Sequence, residues 1–176
     1  MFERILLPVD GSSHAVKAAG VAGDLAAKYE SEVLILHVID ESRHVEQEER
    51  MAEIEHAVPP DRGPYPWVAN VPAELAAMLQ PEESSARHRR VLEFLAERVV
   101  RAASDELVGH GVPAERIRAM FRTGHPVKSI LDTCERESSD LVVMGSRGLT
   151  DLAGAIGGSV SHRVAHGAPC SVITVK

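Results

Sequence analysis

Apolar residues follow two periods along the chain. Short, nearly unbroken runs recur at Ile5–Val9, Glu32–Val38, Ile117–Phe121, Asp140–Met144 and Ser171–Val175. Several of these runs are near-continuous, as expected of strands covered on both faces. Between them lie stretches with helical spacing. Ser13–Tyr29 is rich in alanine and follows Ser12, and either Ser12 or Ser13 suits a helix N-cap. Ser85–Val108 spaces Val91, Leu92, Leu95, Val99 and Val100 along one helical stripe. Pro126–Arg136 opens with proline, which suits a first helical turn, and Gly158–His166 forms a further helical stretch. Strand–helix alternation implies right-handed crossovers. The expected fold is α/β, an open, mostly parallel, five-stranded twisted sheet with helices on both faces. Ligands in such sheets sit outside the carboxyl ends of strands, where the strand order reverses. Asp10, Val38 and Gly145 all fall at strand ends of that kind, which predicts one shared pocket.

Residues 41–84 break the alternation. Glu41–Ala57 is charged with a helical pattern, and Ala73–Leu79 offers a second short helix. Between them Pro59, Pro60, Pro64, Pro66 and Pro72 punctuate a stretch that carries Tyr65 and Trp67. A structureless connection of that length is unusual inside a compact domain. The segment is expected to be a packed excursion or lid near the pocket, with an inert surface elaboration as the alternative. The whole chain, 1–176, is expected to form a single domain with this insertion.

The candidate chemistry is concentrated near the C-terminus. Asp140-Leu-Val-Val-Met144-Gly145-Ser146-Arg147-Gly148 is followed, after a nine-residue spacer, by Gly158-Ser159-Val160-Ser161. An apolar strand ending in two glycines, then a Gly-Ser step opening a helix, is the kind of backbone that receives phosphates. Glycines permit positive φ and close approach, and a helix start presents unpaired N–H groups with a favourable dipole. Hydroxyls at Ser159 and Ser161 would add donors. The spacing differs from the Walker A loop, which needs Gly-Lys-Ser/Thr, and from the dinucleotide Gly-x-Gly-x-x-Gly. A glycine-rich turn that only joins a strand to a helix is the alternative. At the other end of the chain, Arg4-Ile-Leu-Leu-Pro8-Val9-Asp10-Gly11-Ser12 is an apolar run closed by an acid, a glycine and a capping serine.

Together these segments resemble the universal stress protein family, in its ATP-binding branch. The family's first strand ends in the Pro-Val-Asp-Gly-Ser found at residues 8–12, and its nucleotide motif stands here as Gly145, Gly148, Gly158 and Ser159. The likeness extends to Leu34–Val38, Thr123–Pro126 and Ala168–Lys176, and covers most of the chain apart from 41–84. It implies a Rossmann-type, adenine-nucleotide α-hydrolase-like fold. It also implies a nucleotide site at Pro8, Val9, Asp10, Val38, Met144, Gly145, Ser146, Arg147, Gly148, Gly158, Ser159, Val160 and Ser161. In that reading Asp10 accepts hydrogen bonds from ribose hydroxyls, where otherwise it supports the turn after its strand. Val38 lends its backbone to the adenine edge, while its side chain alone reads as core. Met144 packs near the base or simply fills the interior, and Arg147 neutralises phosphate or is merely solvated. Gly124-His125-Pro126 reads as a structural turn.

Composition narrows the classes. The chain is 44% hydrophobic but only 3% aromatic, so its core must be built from Val, Leu, Ile and Ala. A formal charge of −7 argues against nonspecific nucleic-acid binding. No apolar run reaches membrane-spanning length, and residues 1–5 lead into a strand rather than a signal peptide, so a cytoplasmic location without membrane insertion is expected. Cys134 and Cys170 do not make a disulfide framework. Among the nine histidines, His37, His125, His162 and His166 lie near predicted site elements, and none shows a zinc-ligand spacing with an intervening acid. Mg²⁺ or Mn²⁺ held through nucleotide phosphates is the expected metal, with no dedicated protein-ligated site.

The expected function is that of an ATP-binding stress or regulatory module, with ADP or AMP as other possible occupants. Without a general base or a Walker lysine, hydrolysis should be slow or incidental. A nucleotide-cleaving or adenylyl-transferring enzyme of the related fold is one alternative, and a dimeric scaffold with an empty pocket is another. A homodimer through the C-terminal strand is expected, because an edge strand offers unpaired backbone groups. A further protein partner would follow from a regulatory role.

Overall fold

The computed structural model describes residues 1–40, 85–148 and 159–176, and for 85–92 and 159 the backbone alone. The excursion expected at 41–84, the spacer at 149–157 and Gly158 lie outside the described residues. The elements run β1 (Arg4–Pro8), α1 (Ser13–Tyr29), β2 (Glu32–Ile39), α2 (Ser85–Gly109), a 3₁₀ turn (Ala114–Arg116), β3 (Ile117–Thr123), α3 (Pro126–Arg136), β4 (Leu141–Gly145), α4 (Ser159–Gly167) and β5 (Ser171–Val175). Five strands form one sheet in the order β3-β2-β1-β4-β5, and every neighbouring pair is parallel. From β1 the chain winds outward to β2 and β3, then crosses back to β4 and β5. The order therefore reverses between β1 and β4.

Side chains alternate across a strand, and in the inner strands both sets are covered. Ile5, Leu7, Val33, Ile35, Leu141 and Val143 pack with Ala15, Ala18, Ala19, Ala22 and Ala26 of α1 and Val99, Val100, Ala103 and Leu107 of α2. Leu6, Leu34, Leu36, Val142 and Met144 point the other way, against Val127, Ile130 and Cys134 of α3 and Val164 of α4. Two-sided burial is the reason β1, β2 and β4 read as continuous apolar runs. The alanines of α1 let that helix approach the sheet closely, and the described core is aliphatic, with Phe94 and Phe121 left exposed.

The outer strands are less covered than the inner ones. In β3 exposed residues recur along the strand, Phe121 among them, and β5 is no more than half-buried. Each strand has a neighbour on one side only.

Local chemistry sets the helix starts. The Ser12 hydroxyl accepts from the Ala15 N–H at 3.2 Å, so Ser12 rather than Ser13 is the N-cap of α1. Pro126 occupies the first turn of α3. Before it, Gly124 takes φ 128° and donates its N–H to the Ile39 carbonyl at 2.9 Å, tying this turn to the end of β2.

Candidate functional site

The turn after β1 forms one wall of the crevice between β1 and β4. Gly11 adopts φ 84°, a left-handed value that favours glycine. This bend lets the Ser12 N–H donate to Asp10 Oδ1 at 3.0 Å, so Asp10 does brace its own turn. The other carboxylate oxygen faces across the crevice. A β-carbon placed on Gly148 would lie 2.8 Å from Asp10 Oδ2. The backbone at Gly148 thus packs directly on the carboxylate, and two segments separated by most of the chain meet at the reversal point.

Gly145 closes β4 against a different neighbour. A β-carbon there would stand 2.9 Å from His14 Cβ, 3.0 Å from the His14 carbonyl carbon and 3.1 Å from the Ala15 nitrogen. Those are atoms of the first turn of α1, and backbone cannot move aside cheaply. Neither Gly145 nor Gly148 has the positive φ that the glycine pattern led us to expect. At Gly145 an added carbon meets backbone and at Gly148 the end of the Asp10 side chain, and the left-handed residue of the site is Gly11.

Hydrogen bonds hold the loop after β4. The Ser146 N–H donates to the Val175 carbonyl at 2.7 Å, extending the ladder to β5. The Ser161 hydroxyl donates to the Ser146 carbonyl at 2.9 Å and ties the first turn of α4 to the loop. On the α1 side, the Ser12 hydroxyl reaches the Arg147 carbonyl at 3.5 Å. Arg147 itself is exposed, and its side chain points to no described partner. For Ser159 the backbone alone is described, at the start of α4.

The remaining expected residues divide between crevice and core. Pro8, Val9 and Met144 are buried, with Val9 in the core beneath α1 and α2 and Met144 in the core beneath α3 and α4. Their side chains are interior filling, so only their backbone could meet a ligand. Val38 and Val160 pack at the margin of the α3–α4 core. Strand β1 ends at Pro8 opposite Leu36, with the Val9 N–H donating to the Leu36 carbonyl at 2.9 Å. Val38 therefore extends beyond the end of β1, at the lip of the crevice.

The sequence pattern singled out His37 only as a possible metal ligand, and its role is different. Its Nδ1 lies 2.8 Å from the Val9 carbonyl. A carbonyl can only accept, so Nδ1 carries the proton and the neutral ring is the Nδ1–H tautomer. Burial pushes its pKa below the ordinary 6.5, against the opposing pull of the Val9 hydrogen bond and the Asp10 charge. His37 thereby pins the backbone one residue before Asp10. Only a contact between strands reveals this. Among the described residues no three His, Cys, Asp or Glu side chains gather as a metal cluster, and no helix is long and apolar enough to cross a membrane.

A separate groove of about 540 Å³ opens at the opposite end of the sheet, lined by Glu3, Arg4, Glu32, Arg118, Arg136 and Glu137 among others. Two of its cations are already engaged. Arg118 donates to Glu137 at 2.8 Å, and Arg4 Nη1 donates to the Glu137 carbonyl at 3.1 Å. The crevice at the reversal point is the better candidate, because there backbone and carboxylate converge where parallel sheets bind ligands.

Residues 1–176 match a known family model, that of the universal stress protein family. The chain belongs to the universal stress protein family. A universal stress protein of Thermus aquaticus is 30% identical over 176 residues, covering all of both chains. Among solved structures, a universal stress protein in complex with cAMP superposes with TM-score 0.60 at 21% identity, covering 99% of this chain and 97% of that one. The Archaeoglobus fulgidus family member in complex with dAMP gives TM-score 0.54 at 14% identity, covering 100% and 98%. At these identities the two structures establish the shared fold.

Proposed function

We propose that this universal stress protein binds an adenine nucleotide, ATP foremost, in the crevice between β1 and β4, and that occupancy biases its conformation or its choice of protein partner. The observation that carries the reading is the approach of Gly148 to the Asp10 carboxylate across the reversal point. The fit rests on the chemistry of the groups gathered there. Asp10 offers acceptor oxygens suited to ribose hydroxyls, and the backbone of Val38 at the lip offers both donor and acceptor to a base edge. The loop Gly145, Ser146, Arg147, Gly148 and the α4 start at Gly158, Ser159, Val160 and Ser161 would hold the phosphates through N–H groups and hydroxyls. Pro8, Val9 and Met144 would shape the floor. The cAMP and dAMP complexes of the two structural relatives lend support to an adenine nucleotide.

When bound, the nucleotide would supply the phosphate oxygens that hold Mg²⁺ or Mn²⁺. No lysine stands in the glycine loop, so hydrolysis would be slow and the protein a binding module of the cytoplasm rather than a dedicated enzyme. Calorimetric titration with ATP, ADP, AMP and cAMP tests the reading. ATP should bind to the wild type and lose affinity in Asp10→Ala, whereas failure of every nucleotide to bind the folded wild type at millimolar concentration would remove it.

The same reading includes a homodimer through β5. The Val175 carbonyl accepts from the N–H of Ser146, just past the end of β4. Backbone direction alternates along a parallel strand, so Val172 and Thr174 turn their N–H and C=O groups away from β4. Two copies of β5 could pair through those groups as an isologous contact. Val172→Pro removes one outward donor. Light scattering should report a dimer for the wild type and a monomer for the variant, and a monomeric wild type at micromolar concentration would end the proposal.

A further inference from the structure

Two thiols separated by 36 positions in the chain meet in the fold, and the nucleotide reading uses neither. Cys134 lies near the end of α3 and Cys170 immediately before β5, with their sulfurs 3.3 Å apart. Both are free. Their environments differ in a way that matters for reactivity. Cys134 is buried in the core beneath α3 and α4, and its Sγ also points toward the Ser139 carbonyl at 3.9 Å. Cys170 is only partly covered, and its Sγ lies 3.5 Å from the Ser171 carbonyl at an exposed position. One sulfur is open to a small solute, and the second waits behind it in contact.

We propose that Cys134 and Cys170 are an oxidisable dithiol, converted by a low-molecular-weight peroxide into an intramolecular disulfide that staples α3 to the start of β5. In the first step the Cys170 sulfur attacks a peroxide oxygen. An S–O bond forms, the O–O bond breaks, and with hydrogen peroxide the departing hydroxide takes the thiol proton as water. In the second step Cys134 Sγ attacks Cys170 Sγ. The S–S bond forms, the S–O bond breaks, and the second hydroxide leaves as water with the Cys134 proton. Two thiols are oxidised and one peroxide is reduced to two waters.

The geometry suits that order. Burial, reinforced by the hydrogen bond to Cys170, pushes the Cys134 thiol up to about 12, and a thiol that rarely ionises is a poor first reactant. It needs only to close on a sulfur it already touches, to the roughly 2.05 Å of an S–S bond. Cys170 precedes the β5 ladder, so its side chain can rotate without breaking strand pairing. The covalent ring would run through β4, the Gly145–Gly148 loop and α4. Closing a loop of this size restricts the unfolded chain, which should raise the thermal midpoint by on the order of 5–10 °C. The proposal does not depend on nucleotide binding.

The experiment treats the reduced full chain with hydrogen peroxide in the absence of denaturant and nucleotide, alkylates it, and maps peptides without reduction. The expected main product is a Cys134–Cys170 linked peptide lacking two hydrogens, with a raised midpoint that dithiothreitol reverses. Because Cys134→Ser would put a hydroxyl into the core, Cys170→Ser is the informative variant. It should keep the midpoint of the reduced wild type and retain Cys134 as a thiol under the same peroxide. Conversion of Cys170 to a sulfinic acid without the link, disulfides only between chains, or oxidation of Cys134 in Cys170→Ser would each overturn the proposal.

Discussion

The two ends of the sheet are both polar, yet they are built from different groups. At the carboxyl ends of β1 and β4, polarity comes mainly from backbone exposed by glycine, by the Asp10 turn and by the start of α4. At the amino ends it comes from long charged side chains, with Arg118 paired to the Glu137 carboxylate and Arg4 donating to the Glu137 backbone carbonyl. There Asp140 also accepts the Glu3 N–H at 2.7 Å, so backbone near the strand start is capped by a side chain. A groove of opposed charges can be large and still have little left to offer a ligand. In the crevice the groups that meet are a carboxylate and glycine backbone, set together by the fold.

The largest effect that can break this contrast is expected at Gly148. Gly148→Val places carbon atoms against Asp10 Oδ2, so ATP affinity should fall by about 100-fold, or ~2.7 kcal/mol, by calorimetry. The thermal midpoint should move little, since the atom met is the end of a side chain rather than backbone. Equal losses of stability and affinity would mean that Gly148 serves packing alone. Gly145→Ala should behave the other way. Its added carbon meets the backbone of α1, and denaturant unfolding should show a loss of about 1–3 kcal/mol. An unchanged midpoint would show that α1 and β4 do not press together as described.

The opposite end should be nearly silent. Arg118 is 54% exposed, so Arg118→Ala should cost no more than ~1 kcal/mol of stability and leave ATP affinity unchanged. Weaker ATP binding in this variant would move the functional site toward the amino-end groove.

The smallest effects are opposite slopes in stability against pH. The pKa of His37, at the crevice, is lowered by burial. Its contribution is complete above the ordinary value of 6.5 and is lost as pH falls below that toward the folded value. His110, on the path from α2 into β3, has its pKa raised by its 2.7 Å hydrogen bond to Asp24, with burial opposing and the charges of Asp24 and Glu106 adding. Its contribution is complete below 6.5 and is lost as pH rises through the folded value. Thermal midpoints measured across pH should therefore lose their acid-side fall in His37→Asn and their alkaline-side fall in Asp24→Asn. Identical profiles for the two variants would remove the distinction between the histidines.

Much of the fold is legible residue by residue. The helix Ser13–Tyr29 and the strand Ser171–Val175 coincide with the segments that period and capping pick out, and the strands at Leu141 and Arg4 differ from them by one position. Local sterics, caps and two-sided burial act over a few neighbours, so they leave a local trace. The outer strands show where that trace ends. Ile117–Phe121 is legible as a strand, but its place at the sheet edge as β3, with Phe121 exposed, is not. Composition reports what a strand can bury, and the neighbours it receives decide what it does bury.

By itself the sequence determined the alternating strands and helices, the aliphatic core, the Ser12 cap, and the glycine and acid positions that mark the family. Tertiary structure decided that β4 lies beside β1, which sets Gly148 on Asp10 and Gly145 on the first turn of α1. It turned His37 onto the Val9 carbonyl and brought Cys134 into contact with Cys170. The physical reason is range. Backbone propensity and side-chain period act within a turn or a strand, whereas strand order and the spacing of distant atoms follow from the packing of two whole cores against one sheet.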